Sequence, residues 1–235
     1  MRSLLFNLLY WPVSGVYVAL CAVLALVPGR WAVAHGIRSY CRLVVLMMRT
    51  ILGIRVEVRG TPPRNRPVVI AAKHQSWADG MVMVAKTGDI NFVAGDHMRK
   101  FPLIGWVFSR MGAIVLSNGG GPEAAKHLQD GIERSHAESR PVLIYPEGHL
   151  TKVGESERYR TGVYRLASAL DRETVPVATN MGLFWPQQDW TKHKGVAVIE
   201  FLDPIAPDQP RQDFMAQLED RIETRTRALE AEGAA

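Results

Sequence analysis

The sequence predicts an α/β domain with a mostly parallel central sheet flanked by helices, preceded by an amino-terminal two-helix membrane motif. Short apolar runs rich in β-branched residues alternate with helical patterns from residue 54 to about residue 180, the signature of crossover connections between parallel strands. Two of these runs, Val68–Ala72 and Leu143–Ile144, end in turns dense with polar and ionisable groups. The first 52 residues follow a different pattern, a long uncharged stretch and then a basic amphipathic one.

Composition sets the scale. A chain of 235 residues with 47% hydrophobic content supports one sizeable core and an extra amino-terminal element. Cys21 and Cys41 are the only cysteines, which excludes a disulfide framework or a cysteine-based metal site. The formal charge of +5 suits an anionic membrane surface, and no aromatic-basic motif points to nucleic acid.

Between Ser3 and Gly29 there is no charged residue, and Leu4–Val27 is long enough for one bilayer core. Tyr10, Trp11 and Tyr17 are candidate interfacial anchors, while Pro12 with Ser14 and Gly15 weakens a straight span. Spanning and half-embedded arrangements both remain open. In the next segment His35, Arg38, Arg42 and Arg49 fall on one helical face and Val33, Ile37, Cys41, Val44 and Met48 on the other. That pattern predicts an interfacial helix with its apolar face in an anionic leaflet. The chain thus divides into a membrane motif over 1–52 and a catalytic-type domain over 53–235, placed by its basic segment on the cytoplasmic side of the inner membrane.

Within the second part, Ile54–Arg59 alternates as a strand, and Thr61-Pro62-Pro63 with Asn65 forms a turn. Val68–Ala72 is a buried strand, Trp77 to about Lys86 a helix, and Ile90–Ala94 and Ala113–Leu116 are strands. Helical periodicity returns from Pro122 to about Glu138, and Pro176–Asn180 closes the strand series. Arg211–Glu232 reads as a charged terminal helix burying Met215, Leu218, Ile222 and Leu229. The aromatic loop from Phe184-Trp185-Pro186 to Trp190 fits either an acyl site or the core.

The chemistry concentrates where the central strand ends. His74 and Asp79, five apart, can meet only if the histidine lies on the loop and the aspartate in the first helical turn, which the strand–turn–helix reading supplies. A neutral imidazole so braced takes a proton from a hydroxyl. No serine nucleophile is required when the substrate brings the hydroxyl, and Ser76 suits helix capping. Chance alone produces a His-x4-Asp in about one such chain in three, so a second motif is needed. Leu143-Ile144-Tyr145-Pro146-Glu147-Gly148 provides it.

Together these blocks resemble the lysophosphatidate acyltransferase family of glycerolipid acyltransferases, whose motifs read roughly Asn-His-x-Ser-x-x-Asp and Phe-Pro-Glu-Gly-Thr-Arg. Lys73 stands in the asparagine position and Tyr145 in the phenylalanine position. Phe101-Pro102-Leu103-Ile104-Gly105, with Gly112, resembles the block that shapes the acceptor pocket, and Pro176–Asn180 resembles the last block. The resemblance implies transfer of a fatty acyl group from acyl-CoA or acyl carrier protein to a lysolipid hydroxyl, by default 1-acylglycerol-3-phosphate. It implies no cofactor and no metal, and His74 and Asp79 lack further ligands at metal-binding spacing. By the same resemblance His74 is the base, Asp79 its orienter, Glu147 a buttress or acceptor contact, and the Gly148 N–H an oxyanion donor. Lys73, Ser76, His97 and His149 complete the expected substrate-binding set.

Three positions depart from the family pattern. Gly95, Asn118 and Leu150 stand where members with a phosphate-bearing acceptor usually carry basic residues, with Lys152, Arg158 and Arg160 on the following loop. An acceptor lacking a phosphomonoester, such as an amino-acid or sugar lysolipid, is the alternative. A catalytically silent lipid-binding relative and a thioesterase are the rivals from other classes, and the intact His74, Asp79 and Glu147 speak against the first.

Overall fold

The computed structural model describes residues 1–95, 102–116, 122–187 and 189–234. His97, Asn118 and Phe101 lie outside the described residues.

Helix α1 (Arg2–Leu24) contains Pro12, which removes an amide donor from the helix. Nearby, the Ser14 hydroxyl donates to the Tyr10 carbonyl (2.6 Å) and meets the Tyr40 hydroxyl (2.8 Å). Helix α2 (Trp31–Met47) continues through a π turn, Met48–Leu52, to Gly53. Gly53 has φ +75°, the left-handed cap that favours glycine.

Here one expectation is corrected. The apolar face of α2, including Cys41, Val44 and Met48, is buried with Leu52, Ile54, Ile70 and Val82 in the domain core. His35, Arg42 and Arg49 face outward. A helix that spends its apolar stripe on the domain cannot also lay it in a leaflet. Phe6 of α1 belongs to the same cluster, so the amino-terminal helices share the core of the following domain.

The sheet contains β1 (Ile54–Arg59), β2 (Val69–Ala72), β3 (Asn91–Gly95), β4 (Ile114–Leu116), β5 (Val142–Ile144), β6 (Thr174–Thr179) and β7 (Gly195–Phe201). Their order is β1-β7-β6-β2-β5-β3-β4, and every pairing but β6–β7 is parallel. The remaining helices are α3 (Ala78–Thr87), α4 (Pro102–Met111), α5 (Pro122–His136), α6 (Gly162–Leu170) and α7 (Arg211–Ala234).

Strand β2 is central and buried on both faces, as a parallel strand between helical layers must be. Ile70 and Ala72 point into the layer of α1, α2 and α3, and Val69 and Ala71 into that of α5, α6 and α7. The expected elements are present to within a few residues at their ends. The sequence reading passed over α6 and β7, although Val163, Leu166, Ala167 and Leu170 form a helical stripe and are all buried. The aromatic loop divides: Phe184 and Trp185 are core, and Trp190 is 69% exposed.

Candidate active site

Strand β2 ends at Ala72, and the backbone of the turn that follows is held by several hydrogen bonds. The Lys73 N–H donates to the Val177 carbonyl (3.0 Å), which extends the register with β6 by one residue. The His74 N–H donates to Glu147 Oε1 (3.3 Å). Its carbonyl accepts both the N–H of Thr151 (2.8 Å) and the Thr151 hydroxyl (3.1 Å). The imidazole lies flat on Tyr145, ring centroids 3.8 Å apart and planes 15° from parallel. Backbone and ring are therefore both fixed before a substrate arrives.

His74 Nδ1 lies 3.0 Å from Asp79 Oδ2. That oxygen also accepts the N–H groups of Gln75 and Ser76, each at 2.8 Å. Asp79 occupies the first turn of α3, where unpaired amides and the helix dipole favour a carboxylate. An acceptor opposite Nδ1 makes that nitrogen the N–H bearer and leaves the Nε2 lone pair to accept a proton. The His74 side chain is 21% exposed while that of Asp79 is 4% exposed.

The other expected site residues divide. Ser76 is fully buried, donating to the Trp185 carbonyl (2.6 Å) and accepting from the Ala78 N–H (3.1 Å). It caps α3 and does not reach a substrate. Lys73 is also fully buried, its ammonium 2.7 Å from Glu223 Oε1 of α7 and 3.6 Å from Glu147 Oε1. Its place as a substrate contact is corrected, because a cation sealed between two carboxylates cannot meet a ligand. The Gly148 N–H donates to the Tyr145 carbonyl (3.0 Å), so it is not an open oxyanion donor. His149 is exposed and pairs with Glu157 (2.8 Å).

Glu147 is buried beneath this turn, and its Oε2 finds no hydrogen-bond partner among the described residues. Burial raises its carboxyl above the ordinary 4.5, opposed by its own backbone amide, the Lys73 charge and the His74 amide. Glu147 is a buttress. Tyr145 is pushed well above its usual value by burial and then by the charges of Asp79 and Glu147, so its phenol remains neutral beneath the imidazole.

Several supports had escaped notice in the sequence. Glu223 accepts from Lys73 and from the Tyr159 hydroxyl (2.8 Å), and Glu230 accepts from the Gln75 side chain (2.6 Å) and the Gly154 N–H (3.3 Å). The signal was available: Glu219, Glu223, Thr226 and Glu230 form a helical polar stripe beside the apolar one. Arg160 returns over the second motif. Its N–H donates to the Pro146 carbonyl (2.8 Å), and its guanidinium covers Gly148 so closely that a Cβ there would lie 2.7 Å from Nε.

The turn has an exposed apolar neighbour. Trp77, three residues beyond His74, is 60% exposed with its indole N–H on the Gln187 carbonyl (3.0 Å). Ser3 and Asn7 of α1 bind the same loop through Lys192 and Trp190. Leu4, Leu8, Trp11, Val16, Leu20 and Val23 expose a row of apolar side chains along α1. Among the described residues α1 is the only helix long and apolar enough to cross a membrane.

A braced imidazole at the end of the central strand of an α/β sheet is an arrangement that can activate a hydroxyl group. The Acyltransferase family model matches residues 53–180, more than half of the chain, and the protein belongs to that family. A 1-acyl-sn-glycerol-3-phosphate acyltransferase of Pseudomonas aeruginosa is 26% identical over 224 residues, covering 94% of this chain and 87% of that one. A lyso-ornithine lipid O-acyltransferase of Rhizobium meliloti is 33% identical over 129 residues, 55% of this chain and 41% of that one. The crystal structure of the 1-acyl-sn-glycerophosphate acyltransferase of Thermotoga maritima superposes with a TM-score of 0.78 over 98% of both chains at 20% identity, so the fold is shared. The chain is an acyltransferase of the lysolipid acyltransferase family.

Proposed function

We propose that the protein transfers a fatty acyl group from an acyl thioester, carried on coenzyme A or acyl carrier protein, to the free hydroxyl of a lysolipid held at the membrane surface. His74 Nε2 takes the hydroxyl proton as the oxygen attacks the thioester carbonyl. Asp79 holds the tautomer and stabilises the imidazolium. As the tetrahedral intermediate collapses, the C–S bond breaks and the imidazolium returns its proton to the departing thiolate. No acyl-enzyme forms. The single observation that carries this reading is the 3.0 Å contact between His74 Nδ1 and Asp79 Oδ2, on an imidazole whose side chain is 21% exposed.

The membrane arrangement follows from α1. It is bound to the domain near both ends, through Ser3 and Asn7 at one and through the Ala25 carbonyl and Arg110 at the other. A helix fastened along its length lies against the domain and offers the bilayer one face. The half-embedded arrangement, on the cytoplasmic leaflet of the inner membrane, is the one this supports.

Lysophosphatidate is the default acceptor, in keeping with the P. aeruginosa relative. Among the described residues Arg160, whose guanidinium lies over Gly148 of the second motif, is the cation we assign to its head group. A second reading, a lyso-ornithine or other lysolipid without a phosphomonoester, is favoured by Leu150 and Gly95 at family-basic positions and by the R. meliloti relative. Incubating purified protein with labelled acyl-CoA and a panel of lysolipids decides between them. Label in phosphatidic acid supports the default, label only in an amino-acid lipid supports the second reading, and label in free fatty acid alone refutes acyl transfer.

A further inference from the structure

At the outer edge of the sheet, a cavity of about 480 Å³ opens between α2, the end of α3 and strand β1. Arg42, Arg49, Arg55 and Lys86 line it, with Leu46 and Glu57. None of the four cations has an ion-pair partner among the described residues, and Glu57 is already bonded to Arg59 (2.7 Å). Arg59 and Arg225, by contrast, are each paired with Glu232. Four cations against the one carboxylate of Glu57, itself shared with Arg59, leave the hollow net positive and favour an anion there.

We propose that this hollow holds the phosphodiester head group of an anionic membrane phospholipid, as a site separate from the catalytic one. Arg42 and Leu46 of α2 and Arg49 of the π turn that continues it, spaced i, i+4 and i+7, all face outward, and Leu46 is 54% exposed. A charged pair of forks with an apolar side chain between them matches the junction of a phosphate and its glycerol. Helix α2 packs beside α1, whose exposed apolar row marks the acyl-chain side. When α1 is embedded, the outward stripe of α2 lies at head-group level. Strand β1 is three strands from β2, about 14 Å across the sheet, so an occupant here does not compete with a substrate at His74. None of these residues belongs to the catalytic turn, and the inference stands whichever acceptor the enzyme uses.

Native mass spectrometry of the detergent-purified full chain tests it, with added dioleoylphosphatidylglycerol, dioleoylphosphatidylcholine or coenzyme A. The expected result is one phosphatidylglycerol retained per chain, reduced at least tenfold in R42Q/R49Q/R55Q. A charge-matched control, R134Q/R165Q/R211Q, should retain it fully. Circular dichroism and turnover of a soluble short-chain lysolipid should match wild type in both variants, since all six side chains are exposed. Equal retention of phosphatidylcholine, unchanged retention in the first variant, or equal loss in the control overturns the proposal. Coenzyme A binding that depends on the same three arginines, without phosphatidylglycerol retention, overturns it in favour of a donor site.

Discussion

Lys73 and Glu223 are 150 residues apart in sequence and 2.7 Å apart in the structure, a fully buried ammonium against a carboxylate of the terminal helix. The residue that precedes His74 is thereby locked to α7, with the Tyr159 hydroxyl on the same carboxylate oxygen. Breaking one side of such a pair leaves an uncompensated buried charge. Lys73→Met should therefore cost about 3 to 5 kcal/mol, and Lys73→Met/Glu223→Met should recover part of that loss. Urea unfolding of both variants and of Glu223→Met closes the double-mutant cycle, with a coupling of at least 1 kcal/mol expected.

Asp79 receives His74 Nδ1 and two backbone amides on one oxygen, so Asp79→Asn removes both the tautomer control and a helix-start anchor. The expected loss in kcat is about 10²- to 10⁴-fold, the range for general-base catalysis. The accompanying stability loss is about 1 kcal/mol. Steady-state kinetics beside a thermal melt separates the two, because unfolding alone would track the melt.

Arg160 and Gly148 form a second testable pair. Arg160→Met should raise KM for an anionic acceptor roughly fivefold, as one exposed charge contact contributes about 1 kcal/mol, and leave a neutral acceptor unaffected. Gly148→Ala should raise the same KM, because φ is +76° and the new methyl displaces the guanidinium. Kinetics on paired anionic and neutral lysolipids checks both.

Glu147 gives a pH signature. Its carboxyl is raised above 4.5 in the folded protein, first by burial, so the folded state holds this proton more tightly than the unfolded chain. Its contribution is fully present below pH 4.5 and is lost as pH rises through the folded value. Glu147→Gln should therefore gain stability relative to wild type as pH rises from 4.5, and the difference should level off once pH has passed the raised folded value. Melting temperatures of the two proteins over a pH series provide the comparison.

The sheet and the catalytic turn were legible because their signals are local. β-branched runs marked the strands, and a histidine on a loop with an aspartate one turn into a helix marked the pair. What escaped was set by distant packing. The apolar stripe of α2 reads equally well as membrane-facing or core-facing, and only the presence of Ile54, Ile70 and Val82 opposite it decides for the core. Likewise a lysine at a strand end reads as a ligand contact until Glu223 arrives from the far end of the chain. The motif glycine had an amide to offer, and the turn itself uses it.

The most direct test of the account is thiol release from acyl-CoA by purified wild-type and His74→Ala protein, with and without lysolipid. The account predicts release that requires the lysolipid, appears as one acylated lipid per thiol, and disappears in the variant while its fold is retained. Release of equal size without a lysolipid, or turnover that survives the loss of His74, would contradict it.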